Sequence, residues 1–127
     1  MAEVVVDASA LLALLNAESG ADIVAQAIPG AAISAVNLSE VVAKLSEAGM
    51  PESAIHRSLQ PLGLEVIPFD EEQAYQAGFM RVSTKGTGLS LGDRGCLGLA
   101  LKLGLPVLTA DKTWLELSIG VTVKIIR

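Results

Sequence analysis

The chain has one cysteine, Cys96, and one histidine, His56, among 127 residues. A single cysteine permits no intrachain disulfide, which fits a reducing compartment. One cysteine and one histidine also cannot supply the N/S ligand set of a zinc site. His56 stands between Ile55 and Arg57 in a stretch read as an exposed helix, and Cys96 falls mid-helix with no histidine near it in sequence. Neither builds a nucleophile–base pair, and Cys96 is read as a small buried hydrophobe. Aromatic residues are scarce (Phe69, Tyr75, Phe79 and Trp114), so the core must come from Leu, Val, Ile and Ala. Trp114 is read as a core anchor of the last helix rather than a platform for stacking bases.

Other absences narrow the class further. There is no excess of positive charge: the formal net charge is −5. Bulk attraction to nucleic acid is therefore excluded as a binding mode. A metal-dependent nuclease is not, because a bound divalent ion locally reverses the sign of its carboxylates. No Walker A pattern occurs. Gly86-Thr87-Gly88 follows a helix and its third glycine comes one residue late, so it is no dinucleotide fingerprint. The longest charge-free stretch near the N-terminus, Ala8–Ala17, is too short to span a bilayer. Glu3 stands where a signal peptide carries positive charge. The expectation is a cytoplasmic protein with no membrane segment. Mean hydropathy is nonetheless high, at +0.53. Some apolar surface is expected to be covered by a partner, and we expect a homodimer.

The length suits one domain, residues 1–127. Short apolar runs that read as buried strands fall at Val4–Val6, Ala31–Ser34, Leu64–Pro68, Val107–Thr109 and Val121–Ile125. Helical stretches lie between them. Ala8–Asn16 has Asp7 as N-cap, and Ser19–Ala27 ends before Pro29-Gly30. Leu38, Val41, Val42 and Leu45 mark an amphipathic helix with Asn37 as N-cap. Pro51 opens a helix through Leu59, and Asp70 caps one over Glu71–Val82. Ser83–Ser90 reads as a loop, Leu91–Leu103 as a helix closed by Gly104, and Lys112–Leu117 as a short helix. Strands alternating with helices predict βαβ units and a mostly parallel sheet.

Four acids stand where strands give way to helices or in a helix's first turn: Asp7, Glu40, Asp93 and Asp111. In an open α/β sheet such positions gather at the carboxyl ends of the strands, where ligands bind. Taken singly, each also fits a helix cap. Glu40 follows Asn37 by three residues, and Asp93 follows Ser90 by three, the spacing of a capping box. Asp93, however, lies one turn before Leu97 on the apolar stripe Leu97, Ala100, Leu101, so it points inward. Gly92 and Gly95 flank it, each weakening the helix by ~1 kcal/mol relative to Ala, which suggests close backbone approach or room kept for something bound. Two carboxylates ~4 Å apart repel by about 4 kcal/mol at an effective dielectric of 20. Four together must protonate, spread apart or bind positive charge. An all-oxygen set suits Mg²⁺ or Mn²⁺.

The segments that carry these acids resemble the motifs of the PIN-domain family, and specifically its VapC-type toxins. They are Val6-Asp7-Ala8-Ser9-Ala10-Leu11-Leu12, Asn37-Leu38-Ser39-Glu40-Val41, Leu89-Ser90-Leu91-Gly92-Asp93-Arg94-Gly95-Cys96-Leu97 and Thr109-Ala110-Asp111-Lys112-Thr113-Trp114. All four occur in family order between Val6 and Trp114. The resemblance implies a three-layer α/β/α fold with a central parallel sheet. It implies Mg²⁺- or Mn²⁺-dependent endoribonuclease activity, as the toxin of a toxin–antitoxin pair with a cognate antitoxin. Asp7, Glu40, Asp93 and Asp111 carry over as the acidic positions, with Asp7, Asp93 and Asp111 as metal ligands and Glu40 as a further ligand or the group that orients the attacking water. Ser9 and Thr109 carry over as hydroxyls that fix carboxylate orientation, with Asn37 beside them.

Substrate positioning needs positive charge near the acids. Arg94 adjoins Asp93, Lys112 adjoins Asp111, and Arg81 and Lys85 flank the loop before the Asp93 helix, so these four are candidates for RNA phosphate contacts. Other readings stay open. One is a metal-stabilised module of the same fold that binds RNA or a protein without cutting. Another is a flap-type DNA nuclease, although the chain has no large insertion for threading DNA. A receiver-like phosphate protein lacks support, since no paired acids follow the first strand and no matching lysine is present.

Overall fold

Val4-Val5-Val6 is apolar at every position, and the structure covers both of its faces. Val4 and Val6 enter one apolar cluster and Val5 enters another, as the two-residue period of a strand requires. The computed structural model describes residues 1–127. Its strands are β1 (Val4–Val6), β2 (Ala31–Ser34), β3 (Glu65–Ile67), β4 (Val107–Thr109) and β5 (Val123–Ile125). Its helices are α1 (Ala8–Leu15), α2 (Ala21–Ala27), α3 (Ala35–Glu47), α4 (Glu52–Leu59), α5 (Glu71–Ser83) and α6 (Leu91–Leu103). A 3-10 turn at Lys112–Glu116 takes the place of the expected last helix.

The sheet order is β3-β2-β1-β4-β5 and every neighbouring pair is parallel. This is the three-layer α/β/α arrangement expected from the alternation of elements. One face is covered by residues of α1 to α4, among them Leu11, Val24, Val41 and Ile55. The other is covered by α5, α6 and the last 3-10 turn, through Met80, Leu97, Leu99 and Trp114. Trp114 is buried in that second cluster, the core role read from the sequence. The edge strands β3 and β5 carry exposed Glu65 and Lys124, charges that discourage pairing with a further strand.

The order in which strands are added reverses between β1 and β4: from β1 the chain works outward to β2 and β3, then returns to β4 on the other side. The crevice at the carboxyl ends of β1 and β4 is the switch point at which open α/β sheets bind ligands. Asp7 directly follows β1, and Asp111 follows β4 by two residues.

Two expectations about helix starts need correction. Asn37 is not an N-cap. β2 runs into α3 without a loop, so the cap falls on the strand's last residue, Ser34, whose hydroxyl accepts from the Val36 N–H at 3.3 Å. Pro51 is itself the cap residue of α4, with Glu52 as the first helical position. The strand and helix bounds otherwise shift by one or two residues at their ends.

Candidate active site

Asp7, Asp93 and Asp111 are fixed by the local geometry that ends a strand or starts a helix, and Glu40 by a side chain one turn before it. Asp7 caps α1: its Oδ1 accepts from the Ala10 N–H at 2.8 Å and from the Ser9 hydroxyl at 2.7 Å. Its Oδ2 accepts from the Thr109 hydroxyl at 2.6 Å. The two hydroxyls are in turn held by the backbone after β4. Ser9 Oγ accepts from the Ala110 N–H at 2.9 Å, and Thr109 Oγ1 accepts from the Asp111 N–H at 3.0 Å. Ser9 and Thr109 therefore tie the exits of β1 and β4 together and orient the Asp7 carboxylate between them.

Asp93 caps α6 in a reciprocal box. Its N–H donates to Ser90 Oγ at 3.1 Å, and its Oδ2 accepts from the Ser90 N–H at 3.0 Å. Only Oδ2 is engaged there, so capping and pointing into the cleft are compatible. Asp111 caps the last 3-10 turn through Oδ1, which accepts from the Thr113 N–H at 3.0 Å and its hydroxyl at 2.6 Å. Glu40 lies in α3, where its Oε1 accepts from Asn37 Nδ2 at 2.8 Å. Asn37 is 1% exposed, and its Nδ2 also donates to the Gly92 carbonyl at 2.9 Å. It thus links α3 to α6 and holds the Glu40 side chain against that helix. Its Oδ1 is buried without a partner.

Gly92 has a direct steric reason. A Cβ at this position would collide with the Glu40 carboxylate. Gly95 has none of this kind: a Cβ there would meet Phe69 at an ordinary 3.5 Å. The expectation of close approach holds at Gly92 and not at Gly95.

The four acids line one open hollow of about 250 Å³, together with Ser9, Asn37 and Lys44. Burial raises the Asp7 pKa above its ordinary value, and the charge of Asp93 raises it further, against the lowering effect of the Thr109, Ala10 and Ser9 hydrogen bonds. Cys96 lies beneath this cleft. Burial pushes its thiol pKa well above the ordinary value, and the charges of Asp7, Asp93 and Glu40 add to the shift. An inert, buried thiol is what the sequence suggested.

The donor set suits a hard divalent cation. Glu40, Asp93 and Asp111 each keep one carboxylate oxygen with no protein donor. No protein cation lies within 4.0 Å of any of the four. The side chains do not form a closed cage, since no three of them approach closely enough to hold one ion in common. That arrangement fits an ion that keeps several of its waters, as Mg²⁺ does, and does not fit zinc.

The candidate phosphate contacts fare differently. Arg94 is 8% exposed, and its Nη1 donates to the Ala77 carbonyl at 2.7 Å. It points away from the cleft and ties α6 to α5, because successive helix residues project in different directions. Lys112, Arg81 and Lys85 are exposed, and none lines the acid hollow. The lysine that does is Lys44, which we did not single out from the sequence. Its signal is the four-residue spacing from Glu40 on one helix.

Three kinds of comparison place the chain. The sequence model of the PIN domain matches residues 4–119. The chain is 33% identical over 114 residues to ribonuclease VapC42 of Mycobacterium tuberculosis, covering 82% of this chain and 87% of that protein. Its fold is shared with a chain of the DNA-bound VapBC structure from Salmonella typhimurium (TM-score 0.79, 21% identity, 100% of both chains). It is likewise shared with VapC20 of Mycobacterium tuberculosis, described as a sarcin–ricin loop cleaving toxin (TM-score 0.75, 18% identity, 94% of this chain and 99% of that one). An α/β chain with a carboxylate cleft at its switch point is thereby assigned: this protein belongs to the PIN-domain family, and within it to the VapC group.

Proposed function

We propose that the protein is a Mg²⁺- or Mn²⁺-dependent endoribonuclease and the toxin of a toxin–antitoxin pair, acting in the cytoplasm. The observation that carries this is the gathering of Asp7, Glu40, Asp93 and Asp111 around one hollow at the switch point. The similarity to a protein named as a VapC ribonuclease supports RNA as the substrate. Asp7 and Asp93 would hold the ion, with Asp111 and Glu40 reaching it through its waters. A bound divalent ion supplies neutralisation of phosphate charge and a lowered pKa for an attacking water. Ser9 and Thr109 fix the Asp7 carboxylate, and Asn37 fixes Glu40, so that both oxygens sets stay aimed into the cleft. Glu40, whose Oε2 has no protein donor, would orient the water that attacks the phosphodiester.

Two partners belong to this reading. A cognate antitoxin is supported by solved neighbours that are complexes, among them the toxin–antitoxin complex from Klebsiella pneumoniae. An apolar hollow of about 460 Å³ between α3 and α4, lined by Leu38, Val42, Ile55 and Leu59, offers it a surface. A homodimer is supported by an exposed stripe on α5 of Tyr75, Phe79 and Val82, at 61%, 73% and 80% exposure. Light scattering that finds only monomer would refute the dimer.

The test of the activity is cleavage of structured tRNA and rRNA fragments by the purified protein. Discrete cuts in Mg²⁺ or Mn²⁺ that EDTA abolishes are expected. A second reading, a metal-stabilised module of this fold that binds without cutting, follows if the open carboxylate set holds its ion too loosely to activate a water. RNA binding without cuts, in folded protein at saturating Mn²⁺, would select it.

A further inference from the structure

Lys44 is the one cation that lines the acid hollow. It follows Glu40 by four residues on α3, so the two side chains leave the helix on the same face. No carboxylate lies within 4.0 Å of its ammonium, so the charge is not taken up by Glu40 or any other acid. The same side chain lines a second hollow of about 340 Å³, which shares Ser9 and Leu12 with the first and is bounded beyond by Asn16 and Arg127. Arg127 is paired with Glu18 at 3.1 Å. Lys44 is therefore the unpaired charge at the point where the two hollows meet.

A strand of RNA that places one phosphate among four carboxylates must bring its neighbouring phosphates past the same acids. Those neighbours need positive charge of their own, because phosphate contacts position the strand and dominate its affinity. Lys44 also sits in the last turn of α3, where a cation complements the helix dipole. That role requires only a position at the helix end. It does not require the side chain to line the acid cleft and the hollow beside it.

We propose that Lys44 binds the RNA phosphate next to the scissile one, where the strand leaves the acid cleft for the hollow bounded by Asn16 and Arg127. The assignment rests on the ribonuclease reading above. It names a positioning contact on the substrate, different from the Arg94, Lys112, Arg81 and Lys85 candidates.

The test uses full-length protein carrying Asp93→Asn, to prevent cleavage, and a short fluorescein-labelled single-stranded RNA of mixed sequence, followed by anisotropy in Mg²⁺ over a range of NaCl. Adding Lys44→Met should weaken binding roughly tenfold at low salt and reduce the slope of log K against log salt by about 0.7. Lys44→Arg should restore both. A helix-end role alone would move the melting temperature and leave the slope unchanged. In the otherwise unmutated enzyme, Lys44→Met should raise KM with little change in kcat. If the unmutated protein cuts RNA while Lys44→Met leaves slope and affinity unchanged, the Lys44 assignment is overturned and the ribonuclease reading stands. If the slope depends on Lys44 but the unmutated protein never cuts, Lys44 is a phosphate contact of a binding module, and the cleavage reading falls together with the placement beside a scissile phosphate. Absence of any RNA binding overturns both.

Discussion

Asp7 and Asp111 occupy matching places in neighbouring βα units, and the fold treats them in opposite ways. Both follow adjacent central strands and both cap the element that comes next. Asp7 is 5% exposed and accepts from three donors, while Asp111 is exposed and is held only by Thr113. The difference lies in the following element. α1 packs Ala10, Leu11 and Ala13 into the core and carries its cap down with it. The turn after Asp111 buries Trp114 alone and leaves its cap at the rim. Equivalent positions in a repeating topology thus become an inner acid, strained by burial, and an outer acid that costs little. Active sites commonly keep such groups at the expense of stability.

The comparison is broken most directly at the two acids themselves. Asp7→Asn should lower metal-dependent cleavage by roughly a thousandfold or more, as expected for loss of a group acting at the reacting centre. The same change should raise the melting temperature of the metal-free protein near neutral pH. The sign follows from the raised pKa of Asp7. Stability linked to the protonated carboxyl is complete below the ordinary carboxylate value and is lost as pH rises through the raised folded value. The unmutated protein in EDTA should therefore lose stability with rising pH across that window, and Asp7→Asn should flatten the loss. Asp111→Asn should leave the melting curve nearly unchanged. A lower melting temperature for Asp7→Asn would contradict the inner–outer distinction.

A second pair sharpens it on α6. Gly92→Ala drives a methyl into the Glu40 carboxylate, so cleavage should fall by about 10- to 100-fold, the usual cost of misplacing a group around a metal centre. Gly95→Ala meets only ordinary contacts and should leave cleavage intact while stabilising the helix by up to ~1 kcal/mol. Thermal melts and rates on the two variants decide between them. Equal damage from both would remove the steric argument.

The smallest contrast is between hydroxyls. Thr109→Val strips Asp7 Oδ2 of its buried donor and should cost about 1–3 kcal/mol. Thr113→Val removes an exposed bond to Asp111 and should stay within about 0.5 kcal/mol. Urea denaturation in EDTA measures both.

Much of this was legible in the sequence, for reasons that can be located. The strands were readable because runs such as Val4–Val6 are apolar on both faces, as buried parallel strands must be. Asp7 and Asp111 stood out because each sits at a strand-to-helix junction on one edge of the sheet, and Asp93 because it stands in the first turn of its helix, whereas Glu40 falls beyond the first turn of α3. Where local pattern failed, geometry across elements had taken over. Asn37 stands at a capping spacing from Glu40, yet β2 abuts α3 directly and Ser34 takes the cap. Asn37 is left free to bridge Glu40 and the Gly92 carbonyl. Arg94 drew notice through adjacency to Asp93, although neighbours in a helix do not share a face. Lys44 escaped notice for the converse reason: it is distant in sequence from Asp7 and Asp93 and meets them only in the folded cleft.

The most direct measurement is RNA cleavage in Mg²⁺ or Mn²⁺ by the unmutated protein beside its Asp93→Asn variant, with melting curves on both. Asp93 carries its capping bond through Oδ2 alone, and Asn in its place keeps an acceptor for the Ser90 N–H. The acid-cleft account predicts discrete metal-dependent cuts from the unmutated protein and none from a variant that melts at a similar temperature. Full cleavage by a folded Asp93→Asn protein would contradict it.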